Sequence, residues 1–176
     1  MKFDNYNLNS NLWIPDTNYT HNILFDVNLY AAYLSLSGNL KNLEYKIGLR
    51  SEYYDRDFSF KNTSVSYPYN QIDMFPTLHI SYKKSEKNQY QLSISRRVNR
   101  PSAWFMYPIP DYSDNYFVAV GNPDLKPEFI NAFEFNYIHN FKKALLSIET
   151  FHRRSEGSFN QRLTSNGNGM VQQKME

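Results

Sequence analysis

The 176-residue sequence has no cysteine, six glycines, no long apolar run and no surplus of one charge, and each shortage removes a class of protein. Without cysteine there is no disulfide, no thiolate metal site and no cysteine nucleophile, although the compartment stays open. Nineteen basic against seventeen acidic residues leave a net charge of +2 with no block of one sign, so nucleic acid is not an expected partner. No segment approaches the ~20 apolar residues of a membrane helix, and the first residues, Met1 to Asn7, lack an apolar core of signal-peptide length. His21, His79, His139 and His152 are scattered with no pair four apart, so no metal site is expected. No glycine-rich phosphate loop is present either. Gly167 and Gly169 belong to a polar, hairpin-like tail, and no cofactor is implied.

Aromatics are what the chain has in quantity: fifteen tyrosines and thirteen phenylalanines, residue types that favour pleated surfaces. Over residues 43–53, Leu43, Tyr45, Ile47, Leu49 and Tyr53 alternate with Glu44, Lys46, Gly48, Arg50 and Glu52, the period of a strand with one polar face. Upstream, Ile23, Phe25, Val27 and Leu29 alternate with Asp26 and Asn28. The phase then slips at Ala31 and Ala32, as a bulge there would cause, and a short connection at residues 38–42 predicts a hairpin. Met74, Pro76, Leu78, Ile80 and Tyr82, followed after a polar turn by Tyr90, Leu92 and Ile94, predict a second. Phe133, Phe135 and Tyr137 with Leu146 and Ile148 predict a third, although residues 141–151 also suit an amphipathic helix. Connections within hairpins are short. Those between them, residues 55–71 and 98–127, are long and fall at one end of the sheet.

Short turns at one end and long loops at the other describe a transmembrane barrel, whose strands alternate between lipid and lumen. A soluble antiparallel sandwich, binding carbohydrate or a protein on its long loops, shares the alternation and is the competing reading. Aromatics near strand ends, at Tyr53, Tyr54, Phe75, Tyr82, Tyr90, Phe129 and Tyr137, favour the membrane, because such rings anchor at its interfaces. In that frame Arg96, Arg97 and Arg100 leave the bilayer where the strand ends, and Pro101 stiffens the start of the long connection. Asn122, Pro123, Asp124 and Leu125 suit a type I turn with proline second.

The motifs "SRRVNRPSAW" (residues 95–104), "GNPDLKPE" (121–128) and "NAFEFNY" (131–137), with "YKIGLRSEY" (45–53), closely resemble the barrel of TonB-dependent outer-membrane receptors, in the outer membrane protein beta-barrel family. The resemblance spans most of residues 29–154. It implies a large barrel around an N-terminal plug that imports glycan fragments or metal chelates across the outer membrane, driven by the TonB system through the plug. This sequence shows no plug, about six strands where such receptors have ~22, and a C-terminus without the aromatic residue of a finished strand. The expected fold is therefore all-β: an antiparallel up-and-down transmembrane segment of about six strands in three hairpins, an incomplete barrel lying in the outer-membrane lipid. The remaining strands and plug are its expected partners.

For individual residues the plainer reading is preferred throughout. Glu44, Lys46, Arg50 and Glu52 are read as a lumen-facing charge ladder, since no histidine or nucleophile supports an acid/base pair, and no enzyme is expected. Trp104, Tyr107, Tyr112 and Tyr116 are candidates for stacking on a ligand, with packing of the loop against the rim as the plainer role. Arg96, Arg97, Arg100, Asn122, Pro123, Asp124 and Glu128 are read as rim or loop anchors rather than ligand grips.

Overall fold

In a computed structural model of the chain, described at residues 4–7, 12–15, 23–61, 64–111, 114, 116–165 and 171–176, the alternating segments are strands. β1 (Asp4–Asn7) and β2 (Leu12–Pro15) form a ribbon. β3 (Ile23–Leu40), β4 (Leu43–Phe60), β5 (Ser66–Ser85) and β6 (Asn88–Asn99) come next, then a one-turn helix α1 (Ala103–Met106) and β7 (Phe117–Val120). The chain continues through β8 (Glu128–Asn140), β9 (Leu145–Glu156), β10 (Gln161–Ser165) and β11 (Val171–Met175). Six strands make one sheet in the order β3-β4-β5-β6-β8-β9, so sequence neighbours are spatial neighbours except where β7 is skipped. The sheet is open: among the described residues β3 and β9 are edges that do not pair with each other. It is the incomplete up-and-down barrel wall that the alternation predicts.

Register turns alternation into two faces, because side chains opposite one another across a ladder lie on the same side. On one face the tiers read Tyr82, Tyr90, Tyr137 and Ile148; then Ile80, Leu92, Phe135 and Thr150; then Leu78, Ile94, Phe133 and His152. On the other they read Ser81, Gln91, Asn136 and Glu149; then His79, Ser93, Glu134 and Phe151; then Thr77, Ser95, Ala132 and Arg153. The apolar face lies open rather than beneath a second layer: Leu34 is 75 % exposed, Ile72 67 % and Met74 59 %. A soluble sandwich buries those positions, so that alternative is set aside.

Contacts group the chain into two units, one of Met1–Leu29 with Tyr53–Gln71, the other of Tyr30–Glu52 with Ile72–Glu176. In the first, Phe58 is almost fully buried, its ring 6.1 Å from Phe25, 6.0 Å from Phe60 and 6.5 Å from Tyr67. Arg56 lies 5.1 Å over the Tyr69 ring, and the Tyr69 hydroxyl donates to Gln71 Oε1. Here the structure departs from the expected long loop at residues 55–71: β4 runs on to Phe60 and β5 begins at Ser66. The burial in β4 shows why. Glu52, Tyr54, Arg56 and Phe58 are buried, so alternation persists but the apolar side changes from odd to even positions. β3 runs as one strand through Ala31 and Ala32, and the apolar residues before the phase slip include Phe25, packed on Phe58.

The second unit holds a small core beneath the long connection, where Met106 is fully buried and Val118, Leu125 and Met175 nearly so. β10 and β11 pair antiparallel, and β11 pairs with β7 in parallel, Val171 opposite Phe117. β9 resolves the ambiguity over residues 141–151 in favour of strand, with every residue exposed as befits an edge.

Candidate functional site

The polar face of the sheet forms a groove of about 700 Å³ whose walls include Glu44, Lys46, His79, Gln91, Glu134 and Glu149. Strand alternation delivers these groups side by side from five strands, and Lys83 reaches Glu44 at 3.3 Å. Both partners are more than half exposed, so the pair is worth at most a few tenths of a kcal/mol. The groove is thus a hydrated surface of mixed charge.

Above it along β4 the charges become buried. The Glu52 side chain is 4 % exposed; its Oε1 lies 3.1 Å from Arg50 Nη2, and its Oε2 accepts from Arg100 Nη2 at 2.6 Å. One carboxylate therefore bridges two guanidiniums, one from its own strand and one from the start of the long connection. Arginine side chains also stack on rings here. Arg50 lies 5.1 Å over the Phe75 ring, Phe75 stacks on Phe129 at 6.4 Å, and Arg96 lies 4.7 Å over Phe129. Cation–π contact of this kind stabilises each pair by about 0.5–2 kcal/mol. The buried Nε of Arg96 has no hydrogen-bond partner among the described residues. Arg97, on the opposite face of β6, is exposed.

The long connection is folded rather than loose. Gly121 N–H donates to Tyr107 O at 2.7 Å and Asn122 N–H to Phe105 O at 2.8 Å. Asn122 Oδ1 accepts from Asp124 N–H at 3.0 Å and Asn122 O from Leu125 N–H at 3.3 Å, which closes the turn around Pro123. Pro123, Leu125 and Pro127 are buried while Asp124 and Lys126 are exposed, so the motif is itself amphipathic. Glu128 then caps the connection: Oε2 accepts from Asn99 at 3.0 Å and Oε1 from Ser158 at 2.8 Å. Those bonds hold its carboxyl below the usual range.

Of the aromatic candidates, Trp104 and Tyr116 are exposed at 62 % and 74 %. Tyr107 lines a small crevice with Phe105, Ile109, Asp111 and Met175. Burial, and secondarily the Asp111 carboxylate, pushes its phenol up. Tyr112 lies outside the described residues. The rings do not converge on one cavity: Trp104 and Tyr107 share the crevice and Tyr116 is elsewhere. Sequence reasoning missed Phe75 and Phe129 as a stack, and Glu134 and Glu149 as groove groups, because only inter-strand register brings them together.

The chain matches the outer membrane protein beta-barrel family over residues 1–175, while no curated protein sequence matches it. Among solved structures it is similar to the copper transporter OprC, at 10 % identity and a TM-score of 0.68, covering 98 % of this chain and 27 % of that one. It is also similar to the siderophore receptor PirA from Pseudomonas aeruginosa, at 12 % identity and a TM-score of 0.51, covering 86 % and 37 %. It thus spans between about a quarter and two fifths of the length of these proteins. The two-faced open sheet and the family match agree: the chain belongs to the outer membrane protein beta-barrel family and resides in the cell outer membrane.

Proposed function

We propose that the chain is a section of the wall of a TonB-dependent outer-membrane receptor that takes up a scarce nutrient, with further strands and a plug completing the pore and no catalysis. The observation that carries this is the division of one sheet into an apolar face and a polar groove of about 700 Å³, the arrangement a lipid-embedded wall around a hydrated passage requires. Metal chelates are the first substrate class to test, since the similar structures are a copper transporter and a siderophore receptor. Glycan fragments are the second. Deleting the gene in its host is expected to abolish growth when one chelate or glycan is the limiting source, and a plasmid copy to restore it. Uptake should also stop when the TonB energy supply is removed. Undiminished growth on every chelate and glycan source overturns the reading.

A further inference from the structure

The short-turn end of the sheet carries a feature that a transport wall does not require. All three turns bear lysines: Lys41 between β3 and β4, Lys87 between β5 and β6, and Lys142 and Lys143 between β8 and β9, with Lys83 and Lys84 adjoining at the end of β5. All six are exposed, and Glu86 is the one carboxylate on these turns. Lys83 is paired with Glu44; among the described residues no ion pair engages the other five. Backbone hydrogen bonds tie the turns into one rim: Lys83 N–H donates to Asn42 O, and Asn140 N–H to Lys87 O, both at 2.8 Å. The lysines are therefore held side by side rather than scattered.

Directly inside this rim, on the apolar face, Tyr82, Tyr90 and Tyr137 stand in register with ring centroids 6.4 and 5.1 Å apart. Tyr137 donates through its hydroxyl to Asn88 Oδ1 at 2.7 Å, toward the turns. A tyrosine tier fixes the level of the headgroup boundary, and a cation just beyond it meets the phosphate layer. Amines clustered at that depth match lipids of net negative charge.

We infer that the rim made by the three short turns is a binding surface for anionic phospholipid headgroups in the leaflet facing the periplasm, with Tyr82, Tyr90 and Tyr137 holding the acyl boundary. This rests on the membrane-wall reading above. The test is native mass spectrometry of the full chain in neutral-detergent micelles, titrated with short-chain phosphatidylglycerol or with phosphatidylcholine of the same acyl length. Phosphatidylglycerol is expected to bind at least about tenfold more tightly. K84Q/K87Q/K142Q/K143Q should remove that preference, the corresponding arginine substitutions should retain it, and K126Q/K174Q, on the long connection and β11, should leave it intact. Excess inorganic phosphate should not displace the lipid; displacement would make the rim a free-phosphate site and overturn the lipid assignment. Equal binding of both lipids, or a preference that survives the four substitutions, overturns the inference alone. Circular dichroism separates the two levels, because a parent chain without β-structure in micelles overturns the membrane-wall reading and this inference with it.

Discussion

Gly121 shows how tightly a single position can be specified. A Cβ built there lies 2.5 Å from both N and O of Tyr107 and 2.7 Å from Phe105 O, all main-chain atoms that no rotamer change can move aside. Gly121→Ala is expected to cost about 1–3 kcal/mol, read as faster proteolysis within residues 100–127 while the β-signal of the sheet is unchanged; an unaltered cleavage rate contradicts it. Glu52 is specified by charge instead. Removing the carboxylate from a fully buried pair costs about 3–5 kcal/mol, but Arg50 is 47 % exposed, so Glu52→Ala should lower stability by about 2 kcal/mol, with Glu52→Gln milder, both measured by urea unfolding in micelles. Glu128 lies three residues past the polar outer tier of Arg96, Asn131 and Arg154, outside the apolar band. Its lowered pKa means that its contribution is complete above the ordinary carboxylate range and is lost as pH falls through the lowered value. Asn99→Ala removes the largest cause and should move that loss to higher pH, visible in the carboxyl chemical shift of Glu128 by NMR.

Among the strands, the far end of the β4–β5 hairpin depends on Phe58 more than on any other ring. Phe58→Ala is expected to cost about 3–5 kcal/mol, with hydrogen-exchange protection lost over residues 53–71 and retained in β6 and β8. Uniform loss across the sheet would refute a local role. This hairpin also marks the limit of what the sequence made legible. Leu43 to Tyr53, Met74 to Tyr82 and Tyr90 to Ile94 read directly as strands because lipid demands apolar side chains on one fixed side. Past Tyr53 that demand ends, the buried side becomes that of Tyr54, Arg56 and Phe58, and the changed phase resembles a loop. The turn at Asn122 and Pro123 was readable from local chemistry, whereas the stack of Arg50, Phe75, Phe129 and Arg96 was not. Its members come from four strands, and only register makes them neighbours. Short β7 and β11 were invisible for a different reason, each too brief to show a period.

For the molecule as a whole, the outer sides of β3 and β9, unpaired among the described residues, decide what the six strands can do alone. Each open backbone group costs several kcal/mol in hydrocarbon, so crossing a bilayer requires further strands from the rest of a longer protein or from another chain. The chain alone, mixed with preformed vesicles, is expected to stay fully protease-accessible; a protected monomeric band on a gel would contradict this. The parallel pairing of β7 with β11 has a kinetic meaning as well. Phe117 and Val171 are more than fifty positions apart, so closing that ladder confines a long stretch of chain and gains little until β8 and β9 have already met. The small sheet is thus expected to close after β8 and β9 have paired, and the connection it clasps to become ordered only then.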